Sequence, residues 1–113
     1  MKLKRTLIAA AIAATAGTAH AQISDGVIKI GVMNDQSGLY ADLAGPGSVV
    51  AARMAVEDFG AVKKGMKVEI LVADHQNKPD VGSTIARQWY DVDKVDMIMD
   101  VPTSSVVLAV NQI

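Results

Sequence analysis

Three short runs of apolar, β-branched residues, each followed by a polar loop and a stretch with helical spacing, constrain this chain more than any other feature. Val27 to Met33 (VIKIGVM) alternates between Asp25-Gly26 and Asn34-Asp35, the pattern of a bounded strand. Lys67 to Ala73 (KVEILVA) and Val95 to Val101 (VDMIMDV) repeat it. After the first run, Ser48 stands before Val49, Ala52, Val56 and Phe59, whose spacing makes one face of a helix that Gly60 is placed to stop. Arg53 and Glu57 sit four apart on a solvent-facing side. After the second run, Pro79 suits a first helical turn, and Val81, Ile85, Trp89 and Val92 mark a buried stripe. After the third, Pro102-Thr103-Ser104-Ser105 turns into a further helix.

The order βαβαβα places the chain in the α/β class, with a parallel sheet covered on both faces through right-handed crossovers. Phe59, Trp89, Met97 and Met99 are expected in its core. A complete doubly wound domain has five or six strands, so three leave a sheet edge uncovered. The expectation is therefore the first part of a longer lobe, with no domain boundary inside residues 22–113.

Residues 1–21 are set apart from this fold. Lys2, Lys4 and Arg5, the apolar Leu7 to Ala14 and the triplet Ala19-His20-Ala21 form the three-part pattern of an export signal, with cleavage between Ala21 and Gln22. The apolar run is too short for a bilayer, which needs about 20 such residues. The mature chain is expected to be soluble, exported and periplasmic, with no membrane insertion. Losing the three leader bases takes the net charge from −1 to −4. Nucleic acid is not an expected partner, because Lys63, Lys64 and Lys67 form only a short solvated turn rather than a basic face. The absence of cysteine removes disulfides, thiolate metal sites, a thiol nucleophile and lipid attachment together.

In open α/β sheets a ligand sits beyond the carboxyl ends of the strands. Three loops qualify: 34–47, 74–78 and 102–105. In the last, Thr103, Ser104 and Ser105 join hydroxyl donors to the backbone N–H groups of a helix start, a setting suited to a carboxylate. The competing reading is that one hydroxyl caps its own helix.

The segments IKIGVMNDQSGLYADLAGPGSVVAARMAVEDF, ADHQNKPDVGSTIARQW and DMIMDVPTSSVVLAV together resemble the leucine/isoleucine/valine-binding type of periplasmic binding protein, the soluble component of ATP-driven (ABC) importers. The resemblance runs through the mature segment in order. Its most specific features are Ser37-Gly38 after the first strand, Pro79 opening the second helix, and the Ser-rich third loop. It implies a longer protein whose two α/β lobes close on a ligand about a hinge, of which this chain is the start of the first lobe.

It also implies that Thr103, Ser104 and Ser105 hold a ligand carboxylate, and that Ser37, Tyr40 and Leu43 help wall the pocket. Partners would be a small carboxylate-bearing solute and a membrane permease, with no enzymatic step, cofactor or metal. Leu43 stands where leucine-binding relatives have a pocket tyrosine, and Gln76 or Asn77 and Pro102 stand where some have a cysteine pair. The solute expected is accordingly branched-chain amino acid-like or, on the closer resemblance, an aromatic or other organic acid. Two alternatives remain at this point: an exported α/β enzyme with its catalytic residues beyond Ile113, and the sensing domain of a receptor.

Other constellations carry less. His75 beside Asp74 has no second mature histidine, so a metal site lacks ligands, and His75 is expected in a solvent-exposed loop. Gly45-Pro46-Gly47-Ser48 lacks the lysine of a phosphate-binding loop and reads as a turn and helix cap. Ser104 lies outside a Gly-x-Ser-x-Gly elbow. Asp35, Asp42 and Asp74 are the kind of loop aspartates that form turns.

Overall fold

The computed structural model describes residue 23 and residues 25–113; the expected leader and its cleavage point lie outside them. Strand β1 (Ile28–Asn34) leads through a short helix α1 (Ala41–Ala44) into α2 (Pro46–Phe59). A 3-10 turn (Val62–Lys64) then precedes β2 (Val68–Asp74). Helix α3 (Pro79–Gln88) follows and runs into a π-helical turn (Trp89–Asp93), ahead of β3 (Met97–Met99) and α4 (Ser104–Val110). The three strands form one parallel sheet in the order β2-β1-β3. Ile28 to Asn34 pair with Val68 to Asp74, and Ile30 to Val32 with Met97 to Met99.

Because β1 is central, its side chains must be covered on both faces, and the period of two divides them between two cores. Val32 meets Val49 and Ala52 of α2, with Ile70 beside them. Met33 meets Ala86 and Trp89, joined by Val95, with Leu71, Ile85, Ile98 and Val110 packed around. Gly31 lies on this second face. A Cβ there would stand 2.3 Å from Trp89 Cζ3, so the indole occupies the space that a side chain on β1 would need. Gly82 does the same between helices: a Cβ on it would lie 2.5 Å from Val106 Cγ1, and its absence lets α3 and α4 close together over the end of the sheet.

Several sequence expectations are corrected by this packing. Helix α2 starts at Pro46, before Ser48, with Gly45 as its N-cap, since proline needs no acceptor in the first turn. Gly60 ends it in the left-handed conformation as expected (φ 69°). Val92 falls in the π turn and is 62% exposed, because the wider turn rotates it off the stripe that Trp89 completes.

The third strand is only three residues long, and Met97 and Met99 are 49% and 38% exposed rather than buried. Ile98 alone enters the Trp89 core, while Met99 borders an apolar groove of about 260 Å³ between α2 and the sheet, walled also by Ile28, Ile30, Val56 and Phe59. Phe59 is 54% exposed there, with the Lys64 ammonium 4.3 Å above its ring.

Candidate functional site

The strands end at one rim, where three buried polar residues organise the loops. Asn34, Asp35 and His75 are fully buried, and burial of such groups requires partners. The Asn34 side-chain amide donates to Asp100 Oδ2 at 2.7 Å and to the Gly45 carbonyl at 3.3 Å, and its Oδ1 accepts from Gln36 Nε2. Asp35 folds the loop after β1 onto itself: Oδ1 accepts the Gly38 N–H at 2.8 Å and Oδ2 the Tyr40 N–H at 3.0 Å. This is the turn-forming role expected of a loop aspartate, and it delivers Tyr40 and α1 to the rim.

Asp74 ties the first loop to the second. Its carboxylate accepts the Gln36 N–H (3.0 Å), the Gln76 N–H (2.8 Å) and the Ser37 hydroxyl (2.5 Å). Burial alone would raise its pKa, but the hydrogen bonds from Ser37, Gln36 and Gln76 outweigh burial and hold it below its ordinary 3.8.

His75 is not the exposed loop residue that was expected. Its N–H continues the β1–β2 pairing to the Asn34 carbonyl (3.0 Å), and Gly82 of α3 lies against it, a Cβ position there standing at ordinary contact distance, 3.8 Å, from His75 Cβ. Its Nδ1 accepts the Asn77 N–H at 2.9 Å, and its Nε2 has no partner among the described residues. Gln76 and Asn77 are consecutive left-handed residues (φ 51° and 56°), and Asp100 before the third loop is another (φ 57°). Asparagine and aspartate visit this conformation more readily than other non-glycine residues, so Gln76 is the one whose surroundings must hold it.

Burial pushes the His75 imidazole below 6.5, with the carboxylates of Asp35, Asp74 and Asp100 pulling the other way without reversing it. Between 6.5 and that lowered value the unfolded chain binds a proton that the folded chain does not, so stability declines as pH falls through this window. The depressed Asp74 acts in the same direction further down, its contribution being present above 3.8 and lost as pH falls through its folded value. The thermal midpoint is therefore expected to be lower at pH 5 than at pH 7.5. His75→Asn keeps an acceptor at the δ position without titrating, and should flatten the upper part of that decline; an unchanged slope in differential scanning fluorimetry would contradict the assignment.

Above this framework opens a cleft of about 600 Å³, lined by Tyr40, Leu43, Ala44, Asn77, Pro102, Thr103, Ser104 and Ser105. Its size suits a small ligand. One wall is α1, with Leu43 82% exposed, and the other is the start of α4. Thr103 is the N-cap of α4 but makes no side-chain capping bond. Five of the six residues expected at a ligand site, Thr103, Ser104, Ser105, Tyr40 and Leu43, are thus brought together. Ser37 is not; its hydroxyl is held by Asp74 outside the lining. Ala44, Asn77 and Pro102 complete the cleft without having been singled out as ligand residues. Asn77 was within reach of the sequence, since it lies in the second of the three loops at strand ends.

Comparison with known proteins follows the same outline. A periplasmic binding protein from Burkholderia mallei is similar at 42% identity over 77% of this chain, with a TM-score of 0.71. A branched-chain amino acid ABC transporter periplasmic ligand-binding protein from Burkholderia xenovorans LB400 is similar at 47% identity over 75% of this chain, with a TM-score of 0.70. A type 1 periplasmic binding protein from Bordetella pertussis Tohama I is similar at 31% identity over 76%, with a TM-score of 0.66. The chain spans 23%, 23% and 24% of these three structures. No curated protein matches it significantly. The family profile described as "Periplasmic binding protein" matches residues 27–113, which takes in the parallel sheet, its helices and every residue of the cleft: this chain belongs to the periplasmic binding protein family.

Proposed function

We propose that this chain is part of the periplasmic solute-binding component of an ABC-type importer, and that it contributes one wall of a cleft for a small carboxylate-bearing solute. The observation that carries the reading is the set of three hydroxyls, Thr103, Ser104 and Ser105, that face Tyr40 and Leu43 across the cleft and make no hydrogen bond to another described residue. Hydroxyl donors without internal partners are free to meet an anion, and the apolar Leu43, Ala44 and Pro102 supply enclosure. Family membership supports a second lobe closing over this wall and a membrane permease receiving the solute. Similarity to a branched-chain amino acid ABC transporter ligand-binding protein and the hydroxyl-rich rim both favour an acid, either an amino acid or an aromatic or other organic one. Binding by closure requires no bond chemistry, so the protein acts as a carrier and not as an enzyme. Export to the periplasm fits the family and the leader-like residues 1–21, and among the described residues no helix is long and apolar enough to cross a membrane.

Isothermal titration of the whole protein with L-leucine, L-isoleucine, benzoate and hydroxybenzoates tests this. A saturable isotherm with at least one acid is expected, and Thr103→Val should weaken it about tenfold or more, the effect of one hydrogen bond to a charged group. Flat titrations with every acid would overturn the reading.

A further inference from the structure

The cleft contains a side-chain amide whose acceptor oxygen a carboxylate cannot satisfy. Asn77 lines it beside the three hydroxyls, and its side-chain amide makes no hydrogen bond within the described residues. An amide offers both a donor and an acceptor, whereas a carboxylate only accepts.

The loop holds Asn77 there at a structural cost. Gln76 and Asn77 are both left-handed without being glycine, a conformation that asparagine visits readily and glutamine seldom does. Two acceptors enforce it, one half-buried and one buried: Asp74 takes the Gln76 N–H and His75 Nδ1 takes the Asn77 N–H. His75 is fully buried with its other nitrogen unpartnered among the described residues, which carries a cost, and among those residues the one hydrogen bond its imidazole makes is the one that fixes Asn77. The group that Asn77 would meet is neutral. No charged side chain lines the cleft among the described residues, and the nearby carboxylates are committed: Asp35 to Gly38 and Tyr40, Asp74 to Gln36, Ser37 and Gln76, and Asp100 to Asn34. Among the described residues no carboxylate lines the cleft to pair with an ammonium, while a hydroxyl is matched by an amide.

We propose that Asn77 is a specificity-determining residue of the cleft, positioned by His75, and that it recognises a neutral hydroxyl carried by the bound acid in addition to its carboxylate. The inference rests on the carboxylate-binding reading above and adds the class of solute. The test is titration of the whole protein with matched pairs: benzoate against the three monohydroxybenzoates, and 4-methylpentanoate against L-leucine. The wild type is expected to bind one hydroxybenzoate about three- to tenfold more tightly than benzoate, the range of one neutral hydrogen bond.

Asn77→Ala should bring that ratio close to one, by weakening the hydroxybenzoate more than benzoate. His75→Leu should also erase the ratio and His75→Asn, which retains an acceptor, should restore it; the Asn77 variant alone decides the matter if the leucine variant fails to fold. A ratio preserved in Asn77→Ala overturns the proposal and leaves the carboxylate reading intact, as Thr103→Val would still weaken benzoate. An Asn77-dependent preference confined to the leucine pair overturns the neutral-group assignment, and failure of every acid to bind removes both readings together.

Discussion

Trp89→Ala is expected to destabilise the protein by about 3–5 kcal/mol, the usual range for deleting a large buried aromatic. The indole is 6% exposed and touches both sides of its core: Met33 and the space above Gly31 on β1, Ala86 on α3, and Val95 ahead of β3. Nothing nearby can fill the void, because the residue facing it from the central strand is a glycine and the one below it on the helix an alanine. The main chain gives no compensation and suffers no loss, since the Trp89 carbonyl accepts the Val95 N–H at 2.9 Å whichever side chain is present.

The same geometry predicts coupling. Gly31→Val in the wild type forces a side chain into a ring 2.3 Å from its Cβ and should cost about 1–3 kcal/mol as overpacking. In Trp89→Ala it enters the vacated space and should cost less or become stabilising. Urea unfolding of the four proteins measures both effects. Strictly additive changes, or a Trp89→Ala loss below about 1 kcal/mol, would show that the indole does not fill this core.

The second large effect is at Asp35. Replacing it with alanine removes the acceptor for two N–H groups, those of Gly38 and Tyr40, in a loop whose neighbours Asn34 and His75 are fully buried. An orphaned donor costs about 1–3 kcal/mol, so a total of about 2–6 kcal/mol is expected for the two. Asp35→Asn retains one acceptor oxygen and should lose roughly half of that.

Unlike Trp89, Asp35 stands between the core and the cleft: its turn sets where Tyr40 and the α1 wall with Leu43 stand. Asp35→Ala should therefore also weaken solute binding, by about tenfold if the wall is displaced by even 1 Å, whereas Trp89→Ala assayed well below its melting temperature should leave affinity near the wild-type value. Equal effects of the two variants on affinity would contradict this division.

Much of the fold was legible before any coordinate. Each strand lies within a residue of its expected position at the carboxyl end for β1 and β2, and Gly60 and Pro79 punctuate the helices where their dihedral preferences require. Thr103, Ser104 and Ser105 were also foreseeable, because strand order places loops 34–47, 74–78 and 102–105 at one end of a parallel sheet and the last of them opens a helix; Tyr40 and Leu43 followed only from the family resemblance. The misses share one cause. Met97, Met99, Phe59 and Val92 are apolar and correctly spaced, yet exposed: a hydrophobic pattern states which face seeks cover, not whether another element lies over it.

His75 shows the reverse. Nothing in a polar stretch such as Asp74 to Lys78 marks one member for burial. That outcome depended on α3 packing over the loop through Gly82, seven residues on, and on the Asn34 carbonyl across the sheet. Likewise Ser37 and Thr103 are equivalent as hydroxyls in a sequence, and only the position of the Asp74 carboxylate separates the one that is consumed inside the loop from the one that faces the cleft.

The amino-acid sequence by itself thus determined the α/β class, the order of elements and the end of the sheet where a ligand can sit, because these follow from local periodicity and the chemistry of Gly and Pro. Tertiary structure decided which polar groups are satisfied internally and which remain available, because hydrogen bonds such as Asn34 to Asp100 and Ser37 to Asp74 join residues 66 and 37 positions apart, a distance that no local pattern encodes.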